Sequence, residues 1–249
     1  MKEQTVPPSP LDWKSPAYQA DEYFEWVSSL KILQNRPVRQ EIPNLEEVVA
    51  SYREVIQGCS PVFLLPRDQN FSIRVHLDPP GNYYDVSWDI ERLKEMVRKK
   101  KLKPFWVPVK KPTGEVNWDI AKKMEWDEPI LMVDYMPTGE VIVVDGNHRM
   151  AKRYMEDPNG MIEAYVVRPR DQILCFCSDL FLYWFMIHHN INVLMSYIIG
   201  NTKELWIGDS SDLGYFAAPA SRREIYHDPR WRNFLFQIEP LPKVPIRRL

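Results

Sequence analysis

Cysteine and glycine are scarce in this chain of 249 residues, and its net charge is close to zero. The 3 cysteines are an odd number in a long sequence, so no disulfide scaffold is expected, and a reducing cytoplasm is the expected compartment. The N-terminus also lacks the basic and then apolar segments of a secretory signal. This length suits one large domain or two small ones with a substantial core.

The near balance of charge bears on the class of partner. With 32 basic and 34 acidic residues the net charge is −2, so we expect that nucleic acid is not the main partner and that any nucleic-acid site is a local patch. The densest basic cluster is 98–101. It is either the cationic end of a helix, which the helix macrodipole favours, or a contact to phosphate or nucleic acid.

A long apolar stretch, 180–199, is interrupted at its centre by His188, His189 and Asn190. Placing these polar groups in the hydrocarbon core of a membrane would cost free energy. We therefore expect a buried helix and no membrane partner. Cys175 and Cys177 together with the two histidines suggest a metal site, but the cysteine spacing is not that of a zinc knuckle. No metal ligands are therefore predicted.

The 22 prolines and 9 tryptophans indicate rigid loops and extensive aromatic packing. The first forty residues are predicted to form an arm whose short helix, around 23–30, docks through aromatic side chains. The tail, 217–249, is predicted to form a short helix near 222–226 and then an extended strap.

Between the arm and the basic cluster the pattern predicts a helix, two strands and a second helix. Asn44 is predicted to cap the first helix, and Gly58 to end it as a C′ glycine. Strands are predicted over 61–65 and 71–77, followed by a turn at 79–82. Ser87 is predicted to begin the helix that ends at the basic cluster.

The chain is organised around a strand, a tight turn and a helix. An uninterrupted β-branched run, 141–144, predicts a strand buried on both faces, and Gly146 permits a sharp turn. Asn147 is predicted to be the N-cap of the following helix. The apolar residues of that helix recur at helical spacing: Met150, Ala151 and Tyr154.

Positive charge occupies the first two turns of this helix, at Arg149, Lys152 and Arg153. Cations at a helix N-terminus oppose the macrodipole, so their placement suggests that an anion binds there. The alternative is an ordinary strand-to-helix corner with a satisfied His148 and a solvated basic face.

The sequence Asp145-Gly146-Asn147-His148-Arg149 resembles the signature of the ParB/sulfiredoxin-like superfamily. In that family the corner cradles nucleotide phosphates, and members include partition-protein CTPases, ATP-using sulfiredoxins, free-serine kinases and nuclease-like proteins. The resembling unit is 100–170, with strands expected at 104–110, 129–136 and 162–168, a helix at 118–125 and a hairpin turn at 137–140. The expected fold class is α+β, a small mixed sheet with helices, flanked by an N-terminal extension, 1–99, and a mainly helical C-terminal extension, 171–249.

The resemblance also implies roles for particular residues. Asp145 matches the acidic residue that assists phosphoryl transfer, with His148 as a further candidate catalytic residue. Glu115 is either a second acid or an exposed loop glutamate. The resemblance implies a bound nucleotide (ATP, ADP or CTP), with Mg²⁺ as a further candidate cofactor. The residues expected to bind the nucleotide are Gly146, Asn147, His148, Arg149 and Lys152.

We therefore expect a nucleotide-binding protein, with phosphotransfer to a small molecule or hydrolysis as its activity. One alternative is a nucleotide-gated DNA-binding protein or nuclease, against which the neutral net charge and the lack of a recognisable helix-turn-helix both weigh. The other is a binding module without turnover. The oligomeric state stays open.

Overall fold

The computed structural model describes residues 20–59, 70–112, 116–124, 128–208 and 233–248. Within these ranges the protein is an α+β protein, with seven α-helices and three small sheets. The helices are α1 Asp21–Ser28, α2 Leu45–Gln57, α3 Ile90–Lys99, α4 Trp118–Lys123, α5 Asn147–Glu156, α6 Pro169–Gln172 and α7 Asp179–Ile198. The strands are β1 Asn70–Leu77, β2 Asn82–Asp89, β3 Phe105–Pro108, β4 Ile130–Tyr135, β5 Glu140–Asp145, β6 Met161–Val167, β7 Leu205–Gly208, β8 Phe234–Phe236 and β9 Ile246–Arg248.

The central sheet has four strands in the order β3-β6-β4-β5. The strands β4 and β5 form a hairpin, β6 lies parallel to β4, and β3 pairs antiparallel with β6 at one edge. The strands predicted near 104–110, 129–136, 141–144 and 162–168 are confirmed, with boundaries that differ by a few residues. A parallel pair needs a long crossover, and here α5 supplies it.

Both faces of the central sheet are covered. The buried strands β4 and β5 accordingly carry apolar residues on both faces, without polar alternation. On one face, α5 contributes Met150 to a small core that includes Ile130 and Val143. On the other face, Leu131, Val133 and Val144 join the main core, which extends from Ala20 to Ile238. The predicted apolar face of α5 is confirmed, with Met150 and Ala151 fully buried.

The strand predicted at 71–77 is confirmed as β1, which pairs antiparallel with β2. Residues 61–65, where the other strand was predicted, lie outside the described ranges, and the predicted turn at 79–82 connects β1 to β2. The prediction that Ser87 begins a helix is wrong. Tyr84, Val86 and Trp88 are fully buried at a spacing of two residues, so the strand continues to Asp89, whose side chain caps α3 by accepting a hydrogen bond from the Arg92 amide.

The predicted ends of α2 are also corrected. Asn44 lies at the N-cap position, but its side chain donates to the Leu241 carbonyl and accepts from the Lys243 amide, so it anchors the C-terminal segment instead of the helix. Gly58 is the C-cap with φ −78°, not the left-handed residue that a C′ glycine provides. Neither partner of Asn44 is close to it in sequence, so local pattern could not reveal them.

The helix α7 forms the centre of the main core, as the apolar stretch predicts. Trp184 stacks on Tyr84 with ring centroids 4.6 Å apart, and Phe24 of α1 stacks on Trp184 at 5.7 Å. The predicted aromatic docking of the N-terminal arm is thus confirmed for its described part. No helix in the described ranges is both long and apolar enough to cross a membrane.

The C-terminal segment contributes strands to the third sheet. The strand β7 lies between β8 and β9 and runs parallel to both, so the predicted extended strap includes two short strands. Asn190 of α7 holds β8 by bonding both the amide and the carbonyl of Phe236. The helix predicted near 222–226 lies outside the described ranges.

Candidate functional site

The candidate site is the corner formed by residues 145–149, where β5 ends and α5 begins. Gly146 has φ +91°, and a Cβ atom there would lie 2.6 Å from Ile130 Cγ2 and 3.0 Å from Arg149 Nε. Both its dihedral angle and its surroundings therefore require glycine. The corner packs directly on β4 through Ile130.

Gly146, not Asn147, is the N-cap of α5, so the predicted cap is wrong by one residue. The chain turns in the left-handed region at Gly146, which lets Asn147 adopt helical geometry already. The Asn147 side chain instead donates to the Val143 carbonyl at 3.2 Å, holding the helix start against the end of β5. Within the described ranges no side chain caps α5. Its first-turn N–H groups and the positive end of its dipole are therefore available to an anion.

Arg149 is buried, with 8% of its surface exposed. Its Nη1 donates to the Glu128 carbonyl at 2.7 Å and the Pro129 carbonyl at 3.1 Å, and its Nη2 lies 3.4 Å from Asp145 Oδ2. A guanidinium has five N–H donors, so these contacts leave donor capacity at Nε and Nη2. Arg149 thus braces the corner, a role that its local sequence does not indicate, and its Nε lies against Gly146.

The two other cations of α5 also have backbone acceptors. Lys152 Nζ donates to the Met124 carbonyl at 2.6 Å, and Arg153 Nε donates to the Met161 carbonyl at 3.1 Å. Their placement at the helix start, which suggested an anion, thus has a structural explanation as well. The acceptors come from other segments of the chain, so the sequence pattern could not distinguish the two explanations.

Asp145 lies between two cations. Its Oδ2 is 3.4 Å from Arg149 Nη2 and 3.5 Å from Nζ of Lys94 on α3. Lys94 is exposed and was not predicted as a site residue, because it belongs to a helix outside the 100–170 unit and nothing in its local sequence marks it. The amphipathic pattern of that helix predicts only that Lys94 is solvent-facing.

His148 presents an unsatisfied polar atom at the corner. Its Nε2 is buried and has no hydrogen-bond partner among the residues that the structure describes. Buried polar groups nearly always have a partner, so this ring nitrogen is a position where a water molecule or a bound group can make a hydrogen bond. Glu115, the other predicted acid, lies outside the described ranges.

The histidines and cysteines of the C-terminal half make hydrogen bonds to different partners. His188 Nδ1 is 2.9 Å from the Tyr84 hydroxyl, and His189 Nε2 is 2.9 Å from the Phe234 carbonyl. Cys177 contacts the Ser87 hydroxyl. In the part of the chain that is described, no group of three or more His, Cys, Asp or Glu residues is arranged to hold a metal ion.

A cavity of about 550 Å³ lies elsewhere, between the end of α2 and the start of α7. None of the corner residues lines it, and its thiol, Cys59, is an unsuitable nucleophile because burial and nearby Asp179 raise the pKa of that thiol to about 11. The corner therefore has more of the polar and charged groups expected of a functional site than the cavity has.

Comparison with protein-family models, with curated proteins and with solved structures finds no match to this chain.

Proposed function

We propose that the protein binds the phosphate groups of a nucleotide at the 145–149 corner. The observation that carries this proposal is the glycine in left-handed geometry that opens a helix whose first turn has no side-chain cap among the described residues. Oriented N–H groups and the helix dipole favour an anion at such a position without any further positive charge.

Side chains in and beside the corner suit a phosphate ligand. The orphaned His148 Nε2 can donate to a phosphate oxygen when it carries the proton, and Arg149 retains unused donors beside Gly146. Lys94 adds an exposed cation from outside the corner. Lys152 has further ammonium hydrogens beyond the one given to Met124, and we retain it as a candidate phosphate contact.

The ParB/sulfiredoxin-like interpretation belongs to the same proposal. Its support is the strand, glycine turn and helix at 140–156 within a small mixed sheet. Under this interpretation the activity is phosphotransfer to a small molecule or hydrolysis, with Asp145 as the acidic residue. Mg²⁺, when bound with the nucleotide, would neutralise phosphate charge, and Asp145 is the corner carboxylate that could share in holding it.

A binding module without turnover is the second candidate. It is favoured by the two cations on Asp145, since a carboxylate held by Lys94 and Arg149 is less available to an acceptor or a metal. Both candidates need the same nucleotide site and differ only in the role of Asp145.

The test is a titration of the full chain with ATP, ADP, CTP and GTP, with and without magnesium, followed by calorimetry and thermal melting. At least one nucleotide should bind, and Lys94→Ala should weaken it about three- to ten-fold, since one exposed charge contact is lost. Lys99→Ala is the matched control, because Lys99 lies on the same helix and pairs with Glu95. Equal affinity in both variants, or no binding by the unmodified chain, would contradict the proposal.

A further inference from the structure

Exposed aromatic rings lie at the β3 edge of the central sheet. Trp106 is 61% exposed and Phe105 is 49% exposed, and β3 has a hydrogen-bonded neighbour on only one side in the described sheet. Large apolar side chains on an open sheet edge favour unwanted association unless a ligand or partner uses them.

The strand register places the two rings on opposite faces of the sheet. Phe105 pairs with Ala164, which belongs to the small core beneath α5, whereas Trp106 pairs with Glu163. Directly paired residues share a face and successive residues alternate. Trp106 therefore lies on the same face as α3, which packs on the main core through Leu93.

Cations from two separate segments come together near the end of β3 that begins at Phe105. One segment is the C-terminal end of α3 and the loop after it, and the other follows β6. The ion pair between Lys100 Nζ and Asp171 Oδ1, at 2.6 Å, ties the two segments together. Within the described part of these two segments, the cations without an ion pair are Arg98, Lys101, Lys103, Arg168 and Arg170, and we call this set the cationic edge.

The positive charge of this surface and its exposed indole ring indicate the class of ligand. Residues 98–111 contain no acidic residue, and the nearby Glu95 and Asp171 are neutralised by Lys99 and Lys100. The carboxylate that opposes this positive charge is Glu163, opposite Trp106. Such a surface fits a polyanion, and an exposed indole fits an unpaired base, whose π-face stacks without regard to sequence. A membrane fits less well, because rings on opposite faces of a strand cannot enter one bilayer surface together.

We propose that the cationic edge and Trp106 bind single-stranded nucleic acid, with the cations on the phosphates and the indole stacked on a base. The site does not rest on the nucleotide proposal, since the corner lies at the end of β5, the opposite edge strand of the same sheet. The near-zero net charge excludes a nucleic-acid coat but not a patch built from two distant segments.

The test is fluorescence anisotropy of a labelled 12-nucleotide dT strand with the full chain, over a series of salt concentrations. Trp106→Ala should weaken binding about ten-fold or more, as expected for loss of one stacked base. Lys101→Gln and Arg168→Gln should each reduce the slope of log affinity against log salt by about 0.7. Glu163→Gln should strengthen binding, because it removes the carboxylate opposite Trp106.

Trp118→Ala is the matched control, since Trp118 is also exposed but belongs to α4. Circular dichroism of each variant checks the fold. The proposal is overturned by no binding at low salt, by equal loss in the Trp106 and Trp118 variants, or by tighter binding to a 12-base-pair duplex. It is likewise overturned if vesicles containing phosphatidylserine are bound while the dT strand is not.

Discussion

Gly146 is the residue on which the geometry of the corner depends. An alanine there would combine a left-handed dihedral angle with a Cβ atom 2.6 Å from Ile130 Cγ2. We predict that Gly146→Ala lowers the free energy of unfolding by about 2–4 kcal/mol, as the sum of backbone strain and overpacking. Urea denaturation measures this loss.

Gly139→Ala supplies the control for backbone strain alone. Gly139 also has a positive φ, +68°, but nothing lies within 4 Å of the point that a Cβ atom would occupy there. Its substitution should cost only about 1–2 kcal/mol. Equal losses in the two variants would show that the close packing of Gly146 against β4 is unimportant.

Asp145 distinguishes the two candidate functions. We predict that Asp145→Asn abolishes nucleotide hydrolysis or transfer but preserves nucleotide affinity. The melting temperature should fall only slightly, because a partly exposed ion pair contributes about 1 kcal/mol or less and Arg149 keeps its two carbonyl acceptors. Phosphate release and thermal melting measure the two effects. Normal turnover in the variant, or its unfolding, would leave Asp145 as a structural residue of the turn.

The residues of the corner also show what local sequence can reveal. The β-branched run and Gly146 indicated the strand and the turn, because both depend on neighbouring residues alone. The bracing of Arg149 by the Glu128 and Pro129 carbonyls, and the approach of Lys94, depend on other parts of the chain. Long-range contacts of this kind carry no local signal.

The helix α7 brings two ionisable side chains into the core. Burial lowers the pKa of His188 to about 3, with a smaller contribution from His189, and lowers the pKa of His189 to about 4, opposed by the Phe234 carbonyl. Both are neutral in the folded protein near neutral pH, whereas an unfolded histidine has a pKa of about 6.5. The unfolded chain therefore binds more protons as the pH falls below about 6.5.

We predict that stability is complete above about pH 6.5 and declines as the pH falls towards 4, by up to about 1.4 kcal/mol per pH unit for each histidine. Urea denaturation at pH 7.5, 6.5 and 5.5 measures this decline. His189→Gln should remove about half of the slope, whereas His76→Gln, at an exposed position, should leave it unchanged. Stability that is constant across this range would contradict the assignment of both histidines as buried and neutral.

Helix and strand boundaries were predicted well where one pattern dominated and poorly where two competed. The helix α7 and the strands of the central sheet were recovered from their apolar runs. The strand β2 is not predicted, because the helical spacing of Ile90, Leu93 and Met96 also fits a helix that begins at Ser87. The alternating burial of Tyr84, Val86 and Trp88 was the signal that decided the fold there.

The three segments distinguished in the sequence share one core in the folded protein. The hydroxyl of Tyr84 is 2.6 Å from that of Tyr135 and 2.9 Å from His188 Nδ1, so one hydrogen-bonded chain links 1–99, 100–170 and 171–249. Burial raises the pKa of Tyr84 and the pKa of Tyr135 well above the usual range of a tyrosine hydroxyl, so this network stays uncharged. The extensions thus support the central sheet, and α3 carries Lys94 to the corner.

The central claim is that nucleotide phosphate binds at the 145–149 corner, and amide NMR of the isotope-labelled protein tests it most directly. On addition of the best-binding nucleotide, we predict that the largest shifts occur at the amides of Asn147, His148 and Arg149. The amide of Cys59, beside the separate cavity, should remain unshifted. Saturable binding that shifts residues at the cavity or the cationic edge, while these three amides stay unchanged, would contradict the claim.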